Sequence, residues 1–156
     1  MLGPKIAVVG IGGAGCRIVD SMASTIQAGP FFTVVSTDIK TLAACRITAR
    51  LKIGDKNDSS FGTAIDPAKG EASARFSVDR IRELFADVDI AFLVAGLGGG
   101  TGSGAMPFII ETAKECGAMT MAVVVLPFSF EGEEKGVIAA KALEKIRKSA
   151  DVVVVI

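Results

Sequence analysis

The 156-residue sequence contains no histidine, tryptophan or tyrosine, and its formal net charge is zero. Without histidine the chain cannot build a Ser/His/Asp or Cys/His nucleophile, and histidine-based metal sites are excluded as well. Positive and negative charges are interspersed and no run of lysine and arginine stands out, so the electrostatic footprint of a nucleic-acid-binding protein is missing. We therefore expect no nucleic-acid partner.

Cysteine and long apolar runs are also scarce. Cys16, Cys45 and Cys116 lie far apart and form no C-x-x-C pair, which is typical of reduced, mostly buried thiols in a cytoplasmic protein. The longest apolar stretch, residues 119–128, is too short to cross a membrane, and glycines interrupt the apolar segment near the amino end that could resemble a signal. We therefore expect a cytoplasmic protein without membrane insertion.

Half of the residues are hydrophobic and 22% are charged, which is the composition of a compact globular domain. A chain of this length buries about 68–70% of the surface that its unfolded form exposes, so one core forms without disulfide or metal support. We expect a single domain over residues 1–156.

Short apolar runs alternate with longer segments of helical period, a pattern typical of α/β domains with a mostly parallel sheet. The predicted strands are residues 6–9, 32–36, 51–53, 90–95, 119–126 and 152–156. Their continuous apolar character indicates strands covered on both faces. Helices are predicted over residues 15–28, 67–85, 106–116 and 133–150, and a loop over residues 54–66. The sequence thus predicts a Rossmann-like, three-layer α/β domain with about six strands.

A first glycine-rich segment follows a predicted strand and opens a predicted helix. It fits G-x-G-x-x-G and comprises Gly10, Gly12, Gly13, Ala14 and Gly15. Backbone N–H groups and the helix amino end can bind phosphate there, although the motif is equally typical of a structural turn. Asp38 follows the second predicted strand, where an acidic residue binds ribose in nicotinamide-dependent dehydrogenases. An NAD-dependent oxidoreductase is therefore one alternative.

A second glycine-rich segment lies between an apolar strand and a helix, where a flexible linker has no reason to be. Its glycines are Gly96, Gly98, Gly99, Gly100, Gly102 and Gly104. Thr101 and Ser103 add hydroxyl donors to what we interpret as a second anion-binding segment. Two such segments at the carboxyl edge of one sheet indicate a ligand with several phosphates, and the absence of G-K-[ST] excludes a Walker P-loop.

The motif GGGTGSG at residues 98–104 resembles the tubulin signature, and nearly the whole chain resembles the N-terminal GTP-binding domain of the FtsZ/tubulin family. The matches follow the family's order. They are GIGGAG at 10–15, STD at 36–38 like the family's N-T-D, residues 62–70 like its G-A-G-A-N-P-E-I-G loop, GGGTGSG, and PFSFEG at 127–132. The resemblance implies a GTP- or GDP-binding domain, with Mg²⁺ carried by the phosphates.

The resemblance also implies roles for single residues. Both glycine segments would hold the phosphates, and backbone N–H groups near Ala64 would face the terminal phosphate. Glu131 would contact the ribose, and Lys135 stands where the family commonly has a ribose-contacting arginine. Pro127 belongs to the same segment. Cys16 stands in the place of the first residue of a family Asn-Asn pair, and we include it among the candidate nucleotide contacts.

Arg17 stands where the second asparagine of that pair helps to read guanine, so guanine specificity is less supported than phosphate binding. Arg17 could stack on a base or lie on a solvated helix face. No catalytic residue and no protein metal ligand is assigned.

The family pattern continues beyond residue 156 into a P-N-D guanine-contacting loop, a central helix, an acidic hydrolytic loop and a C-terminal domain. None of these lies within the 156 residues. We therefore expect this stretch alone to bind nucleotide weakly and to hydrolyse it very slowly, unless another chain or a longer native protein supplies the acidic loop. The resemblance implies head-to-tail self-association, or association with an FtsZ-type partner, in cell-division filaments. A non-catalytic assembly or regulatory module remains another alternative.

Overall fold

The computed structural model describes residues 2–57 and 62–156, and strands and helices alternate along the chain. The strands are β1 (Ile6–Ile11), β2 (Phe31–Ser36), β3 (Arg50–Lys52), β4 (Ile90–Gly96), β5 (Met119–Val125) and β6 (Val152–Val155). The helices are α1 (Gly12–Thr25), α2 (Ile39–Ala44), α3 (Pro67–Phe76), α4 (Val78–Phe85), α5 (Gly100–Glu115) and α6 (Glu133–Ser149), with a short 3-10 turn at Ser129–Glu131. None of the helices described is long and apolar enough to span a membrane.

The described strands form one sheet in which every pairing is parallel, in the order β3-β2-β1-β4-β5-β6. The predicted α/β class is therefore confirmed. The chain first builds outward from β1 to β3 and then returns to pair β4 with β1, with Gly10 opposite Val94. Open sheets of this kind bind ligands outside the carboxyl ends of the strands at the point where the order reverses. Here that point lies between β1 and β4.

Helices cover both faces of the sheet, which confirms the three-layer arrangement. On one face, α1 and α2 bury Cys16, Val19 and Leu42 against the sheet. On the other face, α3 to α6 enclose the larger core, whose fully buried side chains include Ile81, Phe85, Met106, Ile110 and Ile146. The central strands are thus apolar on both sides, as their continuous hydrophobic runs predict.

The helix predicted over residues 67–85 is two helices, because the chain turns at Ser77. Ser77 has φ −99° and ψ 18°, and its backbone N–H is bonded to the end of α3. Its hydroxyl accepts a hydrogen bond of 2.9 Å from the backbone N–H of Gly54. A serine hydroxyl that bonds to a backbone group elsewhere in the chain favours a break in the helix at that residue. The apolar periodicity of residues 67–85 carries no sign of this bond.

Two predicted helix starts were also wrong. Helix α1 begins at Gly12 instead of residue 15, and α5 begins at Gly100 instead of residue 106. Both errors fall on glycines, which have low intrinsic helix propensity. In α5 the glycines Gly100, Gly102 and Gly104 are helical because their backbones pack closely against neighbouring segments. Helix α2 was not predicted. The predicted loop 54–66 includes residues 58–61, which lie outside the described residues.

Candidate functional site

The amino ends of α1 and α5 meet at the strand switch point. Gly12 has φ +73°, and a Cβ atom on it would lie 3.0 Å from the backbone nitrogen of Gly102. The residues that precede these helices, Ile11 and Gly99, make no side-chain capping bond within the described part of the chain. The first turns contain no acidic residue either. The partial positive charge of two helix amino ends therefore faces one region, and apart from the Gly100 N–H, which donates to the Ala64 carbonyl, their first-turn N–H groups can bind an anion.

Several glycines of the two motifs are required by backbone packing. A Cβ atom on Gly10 would lie 2.5 Å from the carbonyl oxygen of Gly15. One on Gly15 would overlap the carbonyl oxygen of Val94, and one on Gly102 would overlap that of Gly96. Gly104, deeper in α5, likewise contacts α3 through its backbone. These glycines allow the close packing of α1, β4 and α5, and this packing explains their presence without a ligand.

Gly13 and Gly99 behave differently, because a Cβ atom on either would have no described atom within 4 Å. Both line a cavity of about 260 Å³. Its remaining lining residues are Ala14, Ala64, Gly96, Leu97, Gly98, Gly100, Thr101, Gly102, Glu131 and Lys135. The structure thus brings together both glycine segments, the Ala64 region and the Glu131 segment, as the sequence predicts.

The two hydroxyl residues of the second segment have different surroundings. The Ser103 hydroxyl is buried and accepts a 2.8 Å hydrogen bond from the backbone N–H of Gly98. Gly98 has φ +105°, so Ser103 fixes a left-handed turn that favours glycine. Thr101 lines the cavity, and its hydroxyl oxygen lies 2.8 Å from that of Thr37 and 3.0 Å from that of Thr63.

Segment 62–66 lies directly on the amino end of α5. The backbone N–H of Gly100 donates to the carbonyl oxygen of Ala64 at 3.2 Å, and the N–H of Asp66 donates to that of Thr63 at 3.1 Å. Ala64 has φ +51°, a left-handed conformation uncommon for a residue with a side chain. The predicted Ala64 region is therefore held against the second glycine segment by a backbone hydrogen bond from Gly100, and a second bond closes the turn within the segment.

Glu131 and Lys135 supply the acidic and basic side chains of the cavity. One Glu131 oxygen accepts a 2.7 Å hydrogen bond from the backbone N–H of Phe128, and the other lies 3.4 Å from the Lys135 ammonium. Both side chains stay about one-third exposed, at 31% for Glu131 and 38% for Lys135. Pro127 does not line the cavity, but its ring lies 3.4 Å from where a Cβ atom on Gly98 would be.

Two predicted contacts lie away from this cavity. The Cys16 thiol is fully buried and donates to the carbonyl oxygens of Gly10 at 3.5 Å and Val35 at 3.4 Å. Burial raises the pKa of this thiol to about 12, so it is a neutral core group and not a side-chain ligand. Asp38 caps α2 by accepting hydrogen bonds from the backbone N–H groups of Lys40 and Thr41.

Asp38 and Arg17 line a separate cavity of about 330 Å³ between α1 and α2. The structure therefore does not place Asp38 with the glycine segments, and it places Arg17 on the exposed side of α1.

The structure also adds two residues, Thr37 and Thr63, that the sequence did not assign to the site. Thr37 lies inside the S-T-D motif, which marks the segment as functional but assigns no role to the Thr37 hydroxyl. Thr63 lies in segment 62–70, which resembles a family loop, but that loop has alanine at this position, and the contact with Thr101 joins residues 38 positions apart. Among the described residues, no group of three or more cysteine, aspartate or glutamate side chains could hold a metal ion.

The fold and the cavity define a doubly wound α/β domain with a glycine-rich anion cradle at its switch point. Residues 5–156 match the model of the Tubulin/FtsZ family, GTPase domain. The chain belongs to this family.

Two relatives illustrate the similarity. The cell division protein FtsZ of Aquifex aeolicus is 41% identical over 152 residues, which cover 97% of this chain and 41% of that protein. The mitochondrial division protein fszB of Dictyostelium discoideum is 41% identical over 155 residues, covering 98% of this chain and 42% of that protein. The chain thus spans about two fifths of the length of these relatives.

Solved structures show the same family similarity. An FtsZ dimer from M. jannaschii matches with a TM-score of 0.95 at 35% identity, covering 99% of this chain and 45% of that chain. The GDP-bound monomer of CetZ1 from Haloferax volcanii matches with a TM-score of 0.87 at 26% identity, covering 97% of this chain and 50% of that chain. These similarities confirm the predicted family and give no support to the oxidoreductase alternative.

Proposed function

We propose that this chain binds a guanine nucleotide, GTP or GDP, with its phosphates between the amino ends of α1 and α5. The observation that carries the proposal is the convergence on one cavity of two helix amino ends that no described side chain caps, and Gly13 and Gly99 line this cavity with open backbone. Helix amino ends and exposed backbone N–H groups bind anions, and this chain belongs to a family of GTPase domains.

The cavity can be divided by the chemistry of its lining. Gly13, Ala14, Gly99 and Thr101 would donate backbone and hydroxyl hydrogen bonds to the phosphates, and Ala64 would approach the terminal phosphate. Glu131 and Lys135 would contact the ribose from the other side. About 260 Å³ is just below the usual range of about 300–1,000 Å³ for ligand pockets, so it suits the phosphates and sugar, with the base outside it.

Mg²⁺ is part of the same proposal. Phosphate oxygens are the usual ligands of this ion beside one or two protein groups and several waters. The Thr101 hydroxyl, at the cavity wall, would donate to the phosphate oxygens that hold the ion.

We further propose that the chain is the nucleotide-binding part of a filament-forming GTPase that acts in cell division. The division proteins of Aquifex and Dictyostelium and the FtsZ dimer from M. jannaschii support this role. Since these residues match about two fifths of such proteins, hydrolysis would require an acidic group from another segment or another chain to orient the attacking water.

The first test uses the composition of the chain. With no tryptophan or tyrosine, the polypeptide absorbs almost nothing at 280 nm, so a co-purified nucleotide dominates the ultraviolet spectrum. We expect guanine nucleotide among the molecules released by denaturation and identified by mass. Isothermal titration with GTP, GDP, ATP and NADH then measures preference, and uptake of NADH without GTP or GDP would contradict the proposal.

A matched pair of variants tests the location. Gly99→Ala adds a methyl group to the cradle, whereas Gly136→Ala adds one to α6 at a position that does not line the cavity. Neither Cβ atom meets a described atom within 4 Å, so neither substitution strains the fold. We expect Gly99→Ala to weaken GTP binding about tenfold or more, because a hydrogen bond to a charged group is lost. Gly136→Ala should bind as the unsubstituted chain does, and equal affinity in both variants would contradict the assigned site.

A further inference from the structure

Three threonine hydroxyls from separate segments meet behind the cavity. Thr37 follows β2, Thr63 lies in segment 62–66, and Thr101 lies in the first turn of α5. The Thr101 oxygen is 2.8 Å from that of Thr37 and 3.0 Å from that of Thr63. Thr37 and Thr63 are each 6% exposed, so their hydroxyls depend on protein partners. We call these three side chains the threonine cluster.

The protons of the threonine cluster can be counted. A hydroxyl donates one hydrogen bond and accepts two. If Thr37 and Thr63 both donate to Thr101, they fill its two acceptor positions and leave its own hydrogen free. Thr101 is the member that lines the cavity, so this hydrogen is available to a ligand oxygen there. Two donors on one oxygen also polarise its O–H bond and make it a stronger donor.

Thr63 also connects the cluster to the backbone of segment 62–66. Its carbonyl oxygen accepts from the N–H of Asp66, and the next carbonyl, of Ala64, accepts from the N–H of Gly100. A Cβ atom on Gly100 would overlap the Thr63 hydroxyl, so glycine at that position allows the close approach. The Thr63 side chain therefore adds a second tie to the contact between Ala64 and α5.

This tie acts on a strained residue. Ala64 adopts φ +51°, a left-handed conformation that is unfavourable for a residue with a side chain. The family's G-A-G-A-N-P-E-I-G loop has alanine where Thr63 stands, so the motif itself does not explain this hydroxyl. The bonds on both sides of Ala64 offset the strain and keep its backbone at the cavity wall.

We propose that Thr63 is a positioning residue that holds segment 62–66 against α5 and orients the Thr101 hydroxyl toward the terminal phosphate of a nucleoside triphosphate. The inference rests on the proposed function, because the ligand is the triphosphate assigned there. Thr63 acts through Thr101 and the backbone of Ala64 and does not itself line the cavity. Its removal should weaken the binding of a triphosphate more than that of a diphosphate.

The tie itself is tested without nucleotide. Thr63→Val keeps the shape but removes the hydroxyl, Thr63→Ala removes both, and Thr63→Ser keeps the hydroxyl. Amide hydrogen exchange in the nucleotide-free chain should be about threefold faster at Gly100 and Asp66 in the first two variants. Exchange in Thr63→Ser should match the unsubstituted chain. Unchanged exchange in both hydroxyl-free variants would overturn the proposal.

The effect on binding is tested by titration with GTPγS and with GDP. We expect the first two variants to lose about three- to tenfold in GTPγS affinity and less than twofold in GDP affinity, with recovery in Thr63→Ser. Equal losses for both nucleotides, or no loss, would overturn the positioning role while leaving the proposed function intact. If the unsubstituted chain binds neither nucleotide, the proposed function fails and this inference fails with it.

Discussion

The packing of α3 against α5 allows a sharp prediction about one glycine. A Cβ atom on Gly104 would overlap the carbonyl oxygen of Pro67 and lie 2.9 Å from the backbone nitrogen of Glu71. Both neighbours are backbone atoms of α3, so no flexible side chain can move aside. Gly136, in α6, offers the matched control because no described atom lies within 4 Å of its added Cβ.

The same glycine-to-alanine change should therefore have opposite signs at the two positions. Alanine gains about 0.5–1 kcal/mol over glycine inside a helix, which is the full expectation for Gly136→Ala. Overpacking typically costs about 1–3 kcal/mol, and the rigid backbone contacts of Gly104 favour the upper end. The net expectation for Gly104→Ala is a loss of about 2 kcal/mol in the free energy of unfolding.

Thermal unfolding followed by far-ultraviolet circular dichroism measures both changes without aromatic reporters. At about 2–4 °C per kcal/mol for a chain of this size, Gly104→Ala should lower Tm by about 4–8 °C and Gly136→Ala should raise it by about 1–4 °C. An unchanged or higher Tm for Gly104→Ala would show that α3 and α5 do not approach as closely as described, and the packing argument would be wrong.

Three further outcomes are expected. Asp38→Ala should cost about 0.5–2 kcal/mol of stability by removing the cap of α2, yet leave GTP affinity unchanged in titration, since Asp38 lies outside the glycine cavity. In native thiol labelling at pH 8, Cys116 should react while Cys16 does not, because burial raises the pKa of Cys16 to about 12. The hydrogen bond from the Thr120 N–H lowers the pKa of Asp151 in the folded protein below its ordinary value of 3.8. The ionised carboxylate therefore stabilises the fold above pH 3.8, and this contribution is lost as pH falls through the lower pKa of the folded state. Asp151→Asn should therefore be less stable at pH 7, with the difference closing in urea unfolding below about pH 4.

The strands could be predicted because a strand covered on both faces leaves a strong signal in the sequence. Strand β4 was predicted over residues 90–95 and spans Ile90–Gly96, since its apolar run is unbroken. Helix α2 left a weaker signal. It has six residues and begins at a side-chain cap on Asp38, a residue that also fits a ribose-binding role.

The site could be predicted in outline and not in its contacts. The motifs predict Gly99, Ala64 and Glu131 at one site, and all three line one cavity, because parallel strands deliver the following segments to one edge of the sheet. Cys16 lies within the predicted helix 15–28, and its burial fits the expectation of a mostly buried thiol instead of a nucleotide contact. The contact of Thr63 with Thr101 depends on folding across 38 positions, and local pattern carries no information about it.

The missed helix starts and the site have one physical cause. Glycine is poor at forming helices, so a pattern-based reading places the helix after the last glycine. Gly100, Gly102 and Gly104 are nonetheless helical, because only a residue without Cβ fits against Thr63, the Gly96 carbonyl and α3. This packing extends α5 by about two turns, from residue 106 back to Gly100, and so brings its amino end to the cavity. The glycines therefore build the anion site chiefly by letting the helix begin there, while Gly13 and Gly99 leave the space that a ligand can enter.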